Sequence, residues 1–167
     1  MRLIRAVLSV AFRQSMTTMK PAGRGGPLML FQIETGGCGG CGMELRALAS
    51  APYDLGGAGF GLAGTPAGAD MLLVSGPLTR MMAPVLQAAW EAMPDPKGII
   101  CLGDCALDGG VFGENYATLG GLERHVTIDL RLPGCPPTPA DVLAGLASLL
   151  GGGVQESMPR SDTGGSL

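Results

Sequence analysis

Five cysteines are the residues of this 167-residue chain with the most distinctive chemistry. Cys38 and Cys41 form a C-x2-C pair, Cys105 follows after 63 intervening residues, and Cys135 follows after 29 more. Thiolates are soft ligands that select zinc or iron–sulfur clusters. The fifth cysteine, Cys101, stands in the apolar segment GIICL, where we expect it to pack in the core as a small hydrophobic residue.

The spacing of the other four cysteines bears on the type of metal site. Zinc knuckles usually use two close pairs of ligands, whereas here one close pair is followed by two single cysteines on long segments. That pattern favours an iron–sulfur cubane, which spans more space than a single ion. Structural zinc remains an alternative. A redox-active C-x-x-C pair of the thioredoxin type is another, although such a pair usually lacks two further convergent thiols.

Short apolar segments that alternate with helical patterns must position these cysteines. Strands are predicted over Leu28–Ile33, Ala69–Ser75, Gly98–Leu102 and Val126–Leu130, and helices over Met43–Ser50, Pro77–Met93 and Pro139–Leu150. This alternation predicts an α/β domain with a mostly parallel four-stranded sheet and helices on both faces. Such sheets bind ligands beyond the carboxyl ends of their strands, so the four loop cysteines are expected at one edge.

Three regions are predicted along the chain. Residues 28–150 form the α/β domain, residues 1–27 form an amphipathic arm and linker, and the polar, glycine-rich residues 151–167 form a flexible tail. The arm has an apolar stripe at helical spacing opposite its arginines, made of Leu3, Ile4, Val7, Leu8, Ala11 and Phe12. No stretch approaches the roughly 18 consecutive apolar residues that a membrane helix needs.

The distribution of charge excludes some classes of function. Five basic and no acidic residues precede Glu34, whereas the remainder carries six basic and 14 acidic residues. An acidic body argues against nucleic-acid binding, which needs a basic face. The single histidine, His125, excludes a site built on several histidines. An odd number of cysteines without a convincing secretory signal indicates a reducing compartment.

Two glycine patterns resemble the G-x-G-x-x-G of nucleotide-binding loops. In the match that begins at Gly37, cysteines occupy the variable positions, and the match that begins at Gly59 is not followed by a helix. A chain with 29 glycines is expected to contain chance matches. Nucleotide binding is therefore disfavoured.

Three further residues are candidates for supporting roles. Glu44 could tune a cluster or relay protons, the alternative being a carboxylate that favours a helix start. Arg80 could donate hydrogen bonds to a partner or cofactor, the alternative being a solvated side chain. His125 precedes a predicted strand and is more often a surface or packing histidine than a ligand.

Three motifs together resemble a known family: GCGGCG, then MAPVLQAAWEAMPDPKGIICLGDCALDGG, then VTIDLRLPGCPPTPADVLAGLASLL. They are similar to the cluster-bearing small-subunit family shared by [NiFe] hydrogenases and the quinone-proximal subunit of respiratory complex I. The resemblance covers residues 28–150. It implies a flavodoxin-like α/β domain that holds one [4Fe–4S] cluster on four ligands, Cys38, Cys41, Cys105 and Cys135.

The branch of the family is indicated by the first ligand pair. Complex I members carry two adjacent cysteines there, whereas the C-x2-C pair of this chain resembles the hydrogenase branch. The sequence shows no long cysteine-rich C-terminal extension and no twin-arginine leader. The combination is similar to the small subunit of membrane-bound, energy-converting hydrogenases, including formate hydrogenlyase. Gly42 and Met43 depart from that pattern, which often has an acidic residue directly after the second cysteine, so a proton role for this turn is in doubt.

The resemblance implies an electron-transfer subunit of an oxidoreductase complex that is not catalytic alone. The expected partners are a large subunit of [NiFe] or complex I type, a ferredoxin-like cluster subunit and membrane-embedded subunits, with no nucleic acid. The expected location is peripheral, on the cytoplasmic face of the membrane. A complex I subunit that passes electrons to quinone and a non-redox scaffold with structural zinc remain alternatives.

The arm generates the first testable prediction. Deletion of residues 1–20 should leave the cluster intact, because no predicted ligand lies there, but should release the subunit from membranes. We expect the apolar stripe to occupy a groove on a membrane-embedded partner, since an interfacial helix usually has more aromatic residues and lysines. Membrane flotation at increasing salt distinguishes a helix bound in a groove of a partner protein from a helix bound to the lipid surface. Release of the wild-type complex by moderate salt alone would indicate a lipid-binding segment instead.

Overall fold

Five parallel strands form one sheet within residues 26–150, the part of the chain that the computed structural model describes. In chain order they are β1 (Leu28–Glu34), β2 (Phe60–Leu62), β3 (Met71–Ser75), β4 (Gly98–Leu102) and β5 (Leu130–Leu132). Across the sheet the order is β2-β1-β3-β4-β5, which is the flavodoxin-like order. In register, Glu34 lies beside Ser75 and Ser75 beside Leu102, so three neighbouring strands end at the same edge.

Helices pack against both faces of this sheet. They are α1 (Gly40–Ala47), α2 (Ala83–Ala92), α3 (Asp104–Leu107) and α4 (Pro139–Leu150), with short 3-10 turns at Pro66–Gly68 and Leu122–Arg124. One core contains Trp90 of α2 and Leu72 of β3. The opposite core contains Leu73 of β3, Leu45 of α1 and Val142 of α4. Since successive strand residues face opposite sides, a strand covered on both faces must be mostly apolar, as β3 is up to its last residue, Ser75.

The predicted fold class is confirmed. The domain is an α/β domain with a parallel sheet and helices on both faces. β4 and α4 have the bounds that the sequence predicts, and β1 and β3 agree to within two residues. These elements are the ones with the clearest apolar runs or helix-start signals. At α4, for example, the Thr138 hydroxyl accepts the amide of Asp141 at 3.2 Å, as its capping pattern predicts.

The sheet has five strands, and the predicted number of four is wrong. The additional strand, β2, has only three residues, with Gly61 at its centre, and lies at the edge of the sheet. A segment this short shows no alternating pattern from which a strand could be predicted. A Cβ at Gly61 would lie 2.7 Å from Sδ of Met29, so a larger residue at this position would displace the end of the Met29 side chain.

The fourth predicted strand, Val126–Leu130, is wrong in position, because the last strand of the sheet is β5. The amide of Val126 bonds back to the Leu122 carbonyl oxygen at 2.9 Å, so it takes part in a turn and not in the sheet. The apolar residues of this segment are buried nevertheless. The interior of an α/β domain can bury such residues outside a strand, and periodicity alone does not show this.

Two predicted helices have different bounds. The helix predicted over Pro77–Met93 begins only at Ala83, because residues 78–80 pair with a returning loop. The Leu78 amide donates to the Gly120 carbonyl oxygen at 2.9 Å, for example. The helix predicted over Met43–Ser50 is α1, shifted three residues toward the N-terminus. The second cysteine of the C-x2-C motif therefore lies in the first turn of a helix, and the first cysteine lies just before it.

Two predicted regions lie outside the described residues: the amphipathic helix of the arm and the tail over 151–167. Among the helices within 26–150, none combines the length and the apolar character required to cross a bilayer. The division of the chain into three regions stays a prediction.

The backbone segments that follow β1 and β3 are in close contact, and this contact generates the second prediction. Gly76 has φ +79°, and a Cβ on it would overlap the carbonyl oxygen of Gly36. Gly76→Ala should therefore lower the free energy of unfolding by at least about 3 kcal/mol. Gly64→Ala is the matched control, because a Cβ there meets nothing within 4 Å and should change stability by less than about 1 kcal/mol. Urea unfolding measures both, and equal stability of the two variants would contradict the prediction.

Candidate cluster site

The first pair of thiols leaves the sheet where β1 ends. Thr35, directly after β1, is fully buried, and its hydroxyl donates to the Gly76 carbonyl oxygen at 2.9 Å. This contact fixes the chain just before the C-x2-C pair. Gly39, with φ +77°, then precedes α1. As a result Cys38 is exposed before the helix, and Cys41 is half-buried within its first turn.

Cys105 and Cys135 lie on two loops that are bonded to each other. Cys105 is the second residue of α3, directly beyond β4, and Cys135 follows β5. The Asp104 amide donates to the Gly134 carbonyl oxygen at 3.0 Å, and the Gly134 amide donates to Oδ1 of Asp104 at 2.8 Å. Each of these residues directly precedes a cysteine. The reciprocal pair of hydrogen bonds therefore fixes the backbones that carry the two thiols relative to each other.

Glycines line the sulfur atoms of three of the four cysteines. A Cβ at Gly103 would lie 2.6 Å from Sγ of Cys41, and one at Gly110 would lie 3.0 Å from Sγ of Cys105. At Gly40 the corresponding distance to Sγ of Cys38 is 3.5 Å. Gly103 and Gly110 also have positive φ angles, of +86° and +50°. Side chains are therefore excluded where the backbone approaches these sulfurs.

The four thiols lie within one another's electrostatic field. Burial raises the pKa of Cys41 to about 11, and the nearby charges of Cys105, Cys135 and Cys38 contribute to that rise. Burial also raises the pKa of Cys105, as do the charges of Cys135 and Cys38, while a hydrogen bond from the Val111 amide opposes the rise. Thiolates gathered in this way repel one another, and a bound cation would relieve the repulsion.

Cys101 stands apart from this group. It is fully buried in β4, on the side of the sheet that packs against α2. Burial raises the pKa of Cys101 to about 12, and the charges that act on it come from Arg131 and Glu123 and not from another thiol. The prediction that this cysteine packs as a small hydrophobic residue is consistent with that environment.

The donor set fits an iron–sulfur cluster. Four thiolates are the usual ligands of a [4Fe–4S] core, and the glycines beside Cys38, Cys41 and Cys105 leave space next to the sulfurs. Among residues 26–150, no three or more His, Cys, Asp and Glu side chains are grouped closely enough to hold a single metal ion, whereas a cubane cluster spans more space than one ion. The role of the four cysteines as ligands stays a prediction, and its support is the electrostatic effect that the thiols have on one another.

The structure gives two of the other candidate residues structural contacts. Arg80 donates from Nε to the Tyr116 carbonyl oxygen at 2.9 Å and from Nη2 to the Asn115 carbonyl oxygen at 3.2 Å. The ring nitrogen Nε2 of His125 lies 3.1 Å from the Leu119 carbonyl oxygen. Glu44 is half-buried in α1.

Sequence reasoning missed two groups at this site. The Asp104 carboxylate links two cysteine loops, but an aspartate at a helix start gives no indication of such a partner 30 residues away. The hydrogen bond from Val111 uses a backbone amide, which every residue other than proline has. Its presence beside Cys105 becomes visible only when the path of the loop is known.

Comparison with known proteins gives relatives that include subunits of a formate hydrogenlyase and of a quinone oxidoreductase. The chain is 40% identical over 122 residues to formate hydrogenlyase subunit 7 of Escherichia coli strain K12, a match that covers 73% of this chain and 48% of that protein. It is 42% identical over 110 residues to a subunit of the NADH-quinone oxidoreductase of Bacteroides thetaiotaomicron, a match that covers 65% of this chain and 56% of that one. The chain thus spans about half the length of the curated relatives that it matches.

A solved structure and a family match agree with these relatives. The membrane-bound sulfane sulfur reductase, an archaeal respiratory membrane complex, contains a chain that superposes with a TM-score of 0.63 at 28% identity. The match covers 75% of this chain and 72% of that one. Residues 38–149 match the family described as NADH ubiquinone oxidoreductase, 20 Kd subunit, and this segment includes all four predicted ligands. The chain therefore belongs to that family of oxidoreductase subunits.

Proposed function

We propose that this chain is an electron-transfer subunit that holds one [4Fe–4S] cluster through Cys38, Cys41, Cys105 and Cys135. The observation that carries the proposal is the gathering of four thiols from three loops, close enough to act electrostatically on one another, while the fifth cysteine is buried elsewhere. When bound, such a cluster supplies one-electron transfer. The four cysteines would hold it, the glycines beside them keep side chains out of its surroundings, and the Val111 amide donates to the Cys105 sulfur.

The surface near the thiols suits the docking of protein partners. Exposed apolar side chains lie on α1 and on the loop that follows α3, including Met43, Val111 and Tyr116, of which the last is 94% exposed. Phe112 is exposed as well, and its ring lies beside Gly37 at the C-x2-C turn. Apolar and aromatic residues of this kind are enriched in the centres of protein interfaces. The proposed partners are a large catalytic subunit, a ferredoxin-like cluster subunit and membrane-embedded subunits.

The proposed complex is of the [NiFe]-hydrogenase type and lies peripherally on the cytoplasmic face of the membrane. The C-x2-C spacing of Cys38 and Cys41 supports the hydrogenase branch. The relative from NADH-quinone oxidoreductase, 42% identical, favours a complex I subunit that passes electrons to quinone as the alternative. Nickel in the large subunit that copurifies with the chain would favour the hydrogenase type. A nickel-free partner with quinone reductase activity would favour the complex I type.

The ligand assignment generates the third prediction. Replacement of Cys38, Cys41, Cys105 or Cys135 by Ser should each abolish the visible absorbance of the cluster or change its EPR spectrum, because each removes one soft ligand. Cys101→Ala is the matched control and should leave both signals unchanged, since that thiol lies in the core away from the others. Iron, acid-labile sulfide and zinc analysis of the purified complex accompanies the spectra.

Two outcomes would contradict the proposal. Zinc in place of iron and sulfide in the wild-type protein would indicate a structural scaffold instead of an electron carrier. Loss of the cluster in Cys101→Ala together with its retention in Cys105→Ser would show that the ligands are wrongly assigned. Loss of protein from the Cys101→Ala sample by unfolding is recognised from circular dichroism, and Cys101→Val then provides an apolar replacement of larger volume.

A further inference from the structure

The loop over residues 109–121 lies between α3 and the turn at Leu122–Arg124, and it approaches the candidate site closely. At its start, the amides of Phe112 and Gly113 both bond to the Gly109 carbonyl oxygen at 3.1 Å, which forms a tight turn. This turn lies directly against the sulfur of Cys105, since a Cβ on Gly110 would be 3.0 Å from that Sγ, and the amide of the next residue, Val111, bonds to the same sulfur. The position of the turn therefore determines whether this ligand receives an N–H···S hydrogen bond.

The returning half of the loop pairs with the segment before α2. The Leu119 amide donates to the Leu78 carbonyl oxygen at 2.7 Å, and the Arg80 amide donates to the Ala117 carbonyl oxygen at 2.9 Å. This pairing fixes the inner part of the loop. The outer part projects into solvent, since Val111 is 85% exposed and so has little burial to hold it.

The side chain of Asn115 connects the outer part of the loop with the turn. Its Oδ1 accepts the amides of Ala117 and Thr118 at 2.8 and 3.1 Å, and its Nδ2 donates to the Phe112 carbonyl oxygen at 3.2 Å. Phe112 directly follows Val111. A displacement of Asn115 is thereby transmitted to the turn that carries the Val111 amide.

The guanidinium of Arg80 holds the outer part of the loop in place. It donates two hydrogen bonds, to the carbonyl oxygens of Asn115 and Tyr116. Hydrogen bonds from a charged donor are roughly twice as strong as neutral ones, and two from one planar group also fix orientation. The contacts run without a break from Arg80 through Asn115 and Phe112 to the Val111 amide at Cys105.

We propose that Arg80 is a positioning residue for the cluster, which fixes the loop over residues 109–121 so that the Val111 amide keeps its hydrogen bond to the Cys105 ligand. The inference rests on the proposed function. Reduction places more negative charge on the sulfur ligands, so an N–H···S hydrogen bond stabilises the reduced form and makes the midpoint potential less negative. Arg80 acts on the potential through the loop and does not touch the cluster itself.

The experiment compares the complex containing wild-type chain with Arg80→Met and Arg124→Met variants. Arg124 is the matched control, because it places a cation beside the same loop, 4.0 Å from Glu114, without a hydrogen bond to the loop carbonyls described above. Two quantities are measured: the midpoint potential by EPR-monitored redox titration, and amide hydrogen exchange of the peptide that spans residues 109–121. Iron analysis of each sample is performed first.

Arg80→Met is expected to give a more negative midpoint potential and about tenfold faster exchange in the loop, as loss of a charge-assisted hydrogen bond implies. Arg124→Met should change neither the midpoint potential nor the exchange rate. Arg80→Lys, which keeps a charged donor, should bring both quantities part of the way back to their wild-type values. An unchanged potential in Arg80→Met with full iron content would overturn the inference and leave the proposed function standing. An equal potential shift in Arg124→Met would show that charge alone is responsible and would also overturn it. Wild-type complex without iron would overturn the proposed function itself.

Discussion

Burial of thiols beside other thiols is the constraint on which this structure depends. Cys41 and Cys105 resist ionisation, because burial raises the pKa of each thiol and the charges of neighbouring cysteines raise it further. Soft metal ions require the ionised form, so the site favours the thiol in the absence of metal and the thiolate in its presence. The surrounding fold must therefore bring together groups that gain nothing from proximity until a cation joins them.

The parallel sheet meets this requirement by geometry. Parallel strands all deliver their following loops to the same edge, so residues distant in the sequence meet without a long excursion of the chain. The cores on both faces of the sheet, and not the thiols, provide the free energy that holds the edge together. Glycines such as Gly76 and Gly103 then allow the loops to pass at distances that a Cβ would prevent.

Several parts of this arrangement could be predicted from sequence, because strong local signals and the long-range fold agree. The buried runs MLLVS and GIICL mark the central strands, and once the strand ends are known, so is the edge at which the loop cysteines meet. Cys101 could be separated from the others by its place inside a strand. The three-residue strand β2 and the displaced β5 could not be located, since register and pairing partners outweigh local pattern in short segments. Contacts between residues far apart in sequence could not be predicted either. Nothing in the sequence around Asp104 or Arg80 indicates which loop each side chain contacts, because those contacts depend on the path of the backbone.

The paired hydrogen bonds between Asp104 and Gly134 have a consequence for how the cofactor is acquired. They join the loops of Cys105 and Cys135 through protein atoms alone, so the proposed cluster is not needed to connect these two loops. Binding of a metal cluster would then use little of its free energy to order these two loops. Domains that fold only around their metal use more. If the four cysteines hold the proposed cluster, the exposed Cys38 and Cys135 are the ligands that an incoming cluster would meet first.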